Sequence, residues 1–225
     1  MGQAIGSVLT FAIGVAISPV PIIAVILMLF SRRAKVNGPA FLLGWVVALT
    51  VVSVVVYALA HDGNVATSST ASDSVSWGKI VLGAVLLLLA RRNWRQRPEP
   101  GQAPEMPKWL ATVEDLSPVK AFGLAVVLAG VNPKNLILTA GAAAGLAQLD
   151  VTTSEAVAAV AVFVLVASLT IVGPVLYALL GGQRAHDTLD SAKAWLTEHN
   201  AAVMAVLFLV FGIDLVAKGL PPLTG

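Results

Sequence analysis

Two short segments hold most of the polar chemistry inside an otherwise apolar chain: Ser18-Pro19-Val20-Pro21 and Asn132-Pro133-Lys134-Asn135. Each falls near the middle of an apolar stretch long enough to be helical. A proline inside a helix removes one donor and clashes with the carbonyl a turn earlier, so each segment frees backbone groups that hydrocarbon cannot satisfy. Ser18, Asn132, Asn135 and the freed carbonyls could line a polar binding site or a translocation path. The alternative is a plain kink satisfied by a neighbouring helix. Two breaks at corresponding positions favour the site, because paired broken helices mark midplane binding sites in membrane carriers.

Lys134 and Asp214 are the charges deepest in the apolar stretches. Each sits about 14 residues from the cytoplasmic start of an outward-running helix, hence ~20 Å along it, and the expectation is that they pair or share one polar cavity. A lone central charge costs at least ~2.5 to 3.5 kcal/mol on insertion scales, which favours a partner or water over lipid. Such a pair has two readings, a static tie between helices and a group that couples protons or substrate.

Covalent chemistry has little to work with. A nucleophile at Ser18 would need a base, and His61, His186 and His199 all fall in expected loops. There is no GxxxxGK[ST] loop, no HExxH and no His/Cys cluster, and the chain holds no cysteine. No enzymatic activity, cofactor, metal or disulfide is therefore expected. Arg91, Arg92 and Arg95 lie in a basic run that reads first as a topology signal and second as a contact for anionic lipid headgroups.

The elements that must position these residues are membrane spans. The 225 residues are 57% hydrophobic and 12% charged, with a mean hydropathy of +0.87, and the apolar residues come in uninterrupted blocks. Six spans fit the blocks: Gln3 to Phe30, Gly38 to Ala60, Trp77 to Trp94, Ala121 to Ala147, Ser154 to Leu180 and Asn200 to Leu220. The third is weakest, since its apolar part, Ile80 to Ala90, reaches only ~16 Å and needs Lys79, Arg91 and Arg92 to snorkel. The first reads as a retained span, not a signal peptide. Segments 184–199 and 106–116 carry apolar residues at helical spacing and are expected to lie on the inner surface.

Eleven of the fourteen Lys and Arg residues fall in the loops after spans one, three and five. By the positive-inside rule those loops face the cytoplasm, which leaves both termini outside a bacterial inner membrane. The excess charge thus serves topology, and no nucleic-acid partner is expected. The loop at 61–76 is expected to be mobile and outside. The breaks open two three-span halves, residues 1–97 and 121–225, joined by a cytoplasmic linker at 98–120. With three spans each, the halves enter the membrane in opposite directions. The expected fold is all-α integral membrane, six transmembrane helices as two inverted three-helix repeats with helices one and four broken. Gly44 with Ala48, Gly14 with Ser18 and Gly141 with Gly145 supply small-residue packing surfaces.

The run Ile17-Ser18-Pro19-Val20-Pro21-Ile22-Ile23-Ala24-Val25-Ile26, then Arg32-Arg33-Ala34-Lys35 and Phe41-Leu42-Leu43-Gly44-Trp45, resembles the GAP family of actinobacterial membrane proteins. Asn132-Pro133-Lys134-Asn135-Leu136 is similar to that family's second signature. These glycopeptidolipid- and sulfolipid-addressing proteins belong to the wider lysine-exporter (LysE) superfamily. The resemblance implies an inverted-repeat bundle that brings a glycolipid to the outer envelope without an ATPase domain in the same chain. It points to Ser18, Pro19, Pro21, Asn132, Pro133, Lys134 and Asn135 as substrate-binding or translocation residues; Asp214 joins them on depth alone. The implied partners are membrane lipids, a glycolipid substrate, a larger lipid exporter and a second copy of the chain. Two other readings stand beside lipid export: a LysE-type exporter of a small amino acid or cation, and a non-transporting assembly partner.

Overall fold

The computed structural model describes residues 1–61, 77–97 and 108–220. The loop expected at 61–76 beyond His61, the linker at 98–107 and the Lys79 side chain lie outside the described residues. Among those described there is no strand. The elements run α1 (Gly2–Ala16), α2 (Pro19–Phe30), α3 (Ala34–His61), α4 (Trp77–Arg95), a 3₁₀ helix (Lys108–Asp115), α5 (Pro118–Val126), a π turn (Val127–Val131), α6 (Pro133–Ala147), α7 (Thr153–Leu180) and α8 (Gly182–Gly219).

The starts of these helices are written in the sequence. Pro118 and Pro133 occupy first-turn positions where a missing N–H costs nothing, and Ser117 and Asn132 cap the turns by accepting from the Lys120 and Lys134 amides. Thr152 and Glu155 form a reciprocal capping box at the start of α7. Ser18 is extended ahead of Pro19, so α2 begins as a new helix rather than continuing α1.

Three helical stretches are long and apolar enough to cross a membrane, Ala34–His61, Thr153–Leu180 and Arg184–Gly219. Two further pairs pass when joined, α1 with α2 across a 56° bend and Pro118–Val131 with α6 across a 62° bend. The protein is thus an all-helical, multi-pass membrane protein with three clear spans, or five when each bent pair is one. α4, expected as the third span, is not among them, for the reason visible in its sequence: Lys79, Arg91 and Arg92 bound a short apolar run.

The described chain forms two compact units, and each draws segments from both expected halves. The first holds α1 to α3, the 3₁₀ helix, α5 to α7 and the start of α8. Within it α3 packs on α5, α6 and α7, while α1 packs on α6 and α7. Phe41, Trp45 and Leu49 recur at four-residue spacing on α3, and all are buried, together with Phe163 and Ile171 of α7 and Val8 and Val15 of α1. The close approach of α3 to α5 depends on Gly44, where a Cβ would stand 2.4 Å from the Phe122 carbonyl oxygen. The expected small-residue surface therefore works at Gly44, and Gly141 meets the Phe11 ring, whereas Gly145 faces open space.

The second unit holds α4 and the rest of α8. Here Gly83 and Gly212 let the two helices touch backbone to backbone, a Cβ on Gly83 falling 2.8 Å from the Gly212 carbonyl oxygen. Two expectations for the surface stretches change. Residues 184–199 are not a separate element, because no glycine or proline interrupts them and the helix continues to Gly219. Residues 108–115 form a 3₁₀ helix whose Leu110 and Val113 are buried and which packs on α2, with Leu116 O accepting from the Asn37 amide at 2.8 Å.

Candidate functional site at the helix breaks

The first break leaves carbonyls at the end of α1 without helical partners. Val15 O accepts from the Ser18 hydroxyl at 2.7 Å, Ala16 O from the Thr170 hydroxyl of α7 at 2.7 Å, and Ile17 O from the Lys134 ammonium at 3.1 Å. The second break is built differently. Pro133 has no N–H, and the Asn132 amide reaches five residues back to Val127 O at 2.9 Å, widening the turn into a π turn. That leaves Leu128 O unclaimed by the backbone, and the Asn135 side-chain amide donates to it at 2.9 Å.

These two arrangements meet. The Ser18 hydroxyl lies 2.9 Å from Asn135 Oδ1 and receives the Lys134 ammonium at 2.5 Å. A hydroxyl has one proton, so Ser18 serves Val15 O or Asn135 Oδ1 at one time while accepting from Lys134. The cluster is closed: Ser18 is 4%, Lys134 7% and Asn135 0% exposed. Thr139, one turn beyond Asn135, has a buried hydroxyl without a partner. Pro19 and Pro21 are buried in the first turn of α2 and supply no donors, while Asn132 holds the start of α6.

No carboxylate among the described residues pairs with Lys134. Its charge is met instead by neutral oxygens and by the C-terminal end of α1, where the helix dipole favours a cation. The expected pairing with Asp214 would join two units; within its own unit each residue has a different partner. Asp214 lies in the second unit and pairs with Lys218 one turn along α8 at 2.8 Å. Position along a helix carries no information about which way a side chain points.

Arg91, Arg92 and Arg95 are exposed on α4, also in the second unit, and line a recess of about 360 Å³ with Leu88 and Gln96. Arg91 also stands with Trp94 beside an apolar recess lined by Leu87, Ala90, Ala205, Val206 and Leu209. The sequence reading missed Thr170, whose hydroxyl ties α7 to the first break; Ser168 and Thr170 in the middle of an apolar span were the available signal.

The cluster gathers a lysine amine, one side-chain amide and a hydroxyl between half-helices, a set that can hold an acceptor-rich polar group. Comparison with curated proteins and with solved structures gives no match. A profile for the family described as Sap, sulfolipid-1-addressing protein, matches residues 8–221, a stretch that takes in both breaks and every helix from α2 to α8, and the chain belongs to that family.

Proposed function

We propose that this protein helps to move a lipid or glycolipid of the cell envelope across the bacterial inner membrane, with the headgroup handled at the joined breaks. The observation that carries the reading is the single buried cluster of Ser18, Lys134 and Asn135, contributed by both broken helices. Paired broken helices are where carriers bind substrate. A fixed ammonium without a carboxylate suits an anionic or acceptor-rich headgroup, in keeping with the sulfolipid in the family's description. It argues against a cationic cargo, and so against the cation branch of the LysE-type reading.

In this reading the chain is a carrier and no enzyme. It comprises two inverted three-helix repeats, α4 serves as a short sixth span, and both termini are outside. The closed cluster represents a resting state, and the breaks separate for the headgroup to enter. Proton coupling through Asp214 gains no support from the geometry, since that carboxylate is tied to Lys218.

The test compares surface-extractable lipids and secreted small metabolites in cells with and without the protein. One lipid class should fall at the surface and build up inside. A change confined to amino acids or other small solutes would replace lipid export with the small-solute reading. Reporter fusions at Gly101 and Gly225 check the orientation, and cytoplasmic activity at Gly225 would remove the six-span arrangement.

A further inference from the structure

A long groove runs between α3 and α7 in the first unit, with a cavity volume of about 850 Å³. On α7 it is lined from Thr153 to Val172, always on one face, and on α3 by Val46, Thr50, Val54 and Tyr57. The lined part of α7 is ~28 Å long at 1.5 Å per residue. That is close to the ~30 Å of a bilayer's hydrocarbon core.

The size of the groove decides what fits. Spread over that length, 850 Å³ gives a mean cross-section of ~30 Å², well below the ~80 Å² of a helix 10 Å across. A single hydrocarbon chain is of this scale. The walls are not uniform. Tyr57 and Thr153 place hydroxyls at one end, where an interfacial rim belongs. Toward the other end Ser168 lines the groove, is only 2% exposed and has no hydrogen-bond partner. An unpaired buried hydroxyl costs ~1 to 3 kcal/mol, so an occupant with an oxygen at that point is favoured over a plain hydrocarbon. Ser168 also sits two residues from Thr170, which bonds the first break, and so lies at the level of the Ser18–Lys134 cluster.

We infer that the α3/α7 groove holds one acyl chain of the transported lipid, with its ester or amide carbonyl accepting a hydrogen bond from Ser168 and its tail running toward Thr153. This rests on the lipid reading above and adds the path of the tail. The headgroup is handled at the level of the breaks while the chain stays in an apolar trough open to the membrane.

The test uses the full chain in phosphatidylcholine nanodiscs doped with a phosphatidylglycerol that carries a diazirine in one acyl chain. Photolabelling should concentrate on groove residues such as Val54, Val157 and Leu165. Ala161→Phe, at an exposed lining position, should cut the label at least five-fold, while Leu43→Phe on another exposed face of α3 should not. Ser168→Ala should weaken competition by an ester-linked phosphatidylglycerol about five-fold, the loss of one hydrogen bond, and leave competition by its diether analogue unchanged. Label spread evenly over all exposed apolar faces would mean bulk lipid only and would overturn the inference. Cross-linked pairs of chains joined at the groove would overturn it in favour of a second copy. The wild-type label map decides the matter even if Ala161→Phe fails to fold. Groove-specific label in a protein whose deletion leaves surface lipids unchanged keeps the tail site and removes the export reading; even labelling with altered surface lipids does the reverse.

Discussion

The first break presents mainly acceptors to the second, and the second mainly donors to the first. At the first, α1 ends with the carbonyls of Val15, Ala16 and Ile17 turned to side chains. At the second, α6 begins with Lys134, whose ammonium donates across to the first break, and Asn135, whose amide closes its own break at Leu128 O while its Oδ1 accepts from Ser18. Each break lies inside a bent helix pair, yet their chemistry is complementary rather than duplicated. A proline break in lipid leaves unpaired groups that must be met inside the protein. Lys134 and Ser18 join the two breaks, while Val15 O, Ala16 O and Leu128 O are met within a break or by α7. Separating the breaks would expose both sets at once.

Removing the donor side should have the largest effect. Lys134→Met strands Ile17 O and one lone pair of Ser18 in a closed site at ~1 to 3 kcal/mol per group, offset in part by relief of the buried charge, and the protein should lose ~2 kcal/mol. Thermal unfolding of purified protein reads this, and an unchanged midpoint would show that the breaks do not depend on each other. Ser18→Ala comes next, at ~1 to 2 kcal/mol, since it touches both sides. In a double-mutant cycle with Lys134→Met the two should couple by at least ~1 kcal/mol, whereas additive effects would mean separate breaks.

Thr170→Val tests the acceptor side alone. Ala16 O also accepts from the Ser18 amide at 2.9 Å, so the loss should be ~1 kcal/mol or less, with no coupling to Lys134→Met beyond ~0.5 kcal/mol. The smallest effect belongs to Asp214→Asn. Its pair with Lys218 is an exposed contact one turn apart, worth ~0.3 to 0.5 kcal/mol, and the melting midpoint should hardly move. A loss as large as that of Lys134→Met would restore Asp214 to the site.

What the sequence disclosed follows the reach of each argument. Proline placement located both breaks, because Pro19 and Pro133 forbid a continuous ladder whatever surrounds them. Apolar length located α3 and α7 and the weakness of α4. The partner of Lys134 was not legible, because distance along a helix says nothing about azimuth. Asp214 and Lys218 stood four residues apart in plain view, but a shared depth with Lys134 drew the pairing elsewhere. The π turn depends on which carbonyl the Asn132 amide selects, a choice made by packing. The α3/α7 groove exists only once two apolar faces are set side by side, and Val54 and Val157 read alike whether they line a trough or face bulk lipid.

If lipid delivery runs through the joined breaks, it can be read in a deletion strain restored with wild-type protein, Lys134→Met or Asp214→Asn, each matched for amount in the membrane, by measuring surface-extractable lipid. Wild type should deliver fully, Asp214→Asn nearly so and Lys134→Met not at all. Normal delivery by Lys134→Met present at the wild-type level would show that lipid does not pass this cluster.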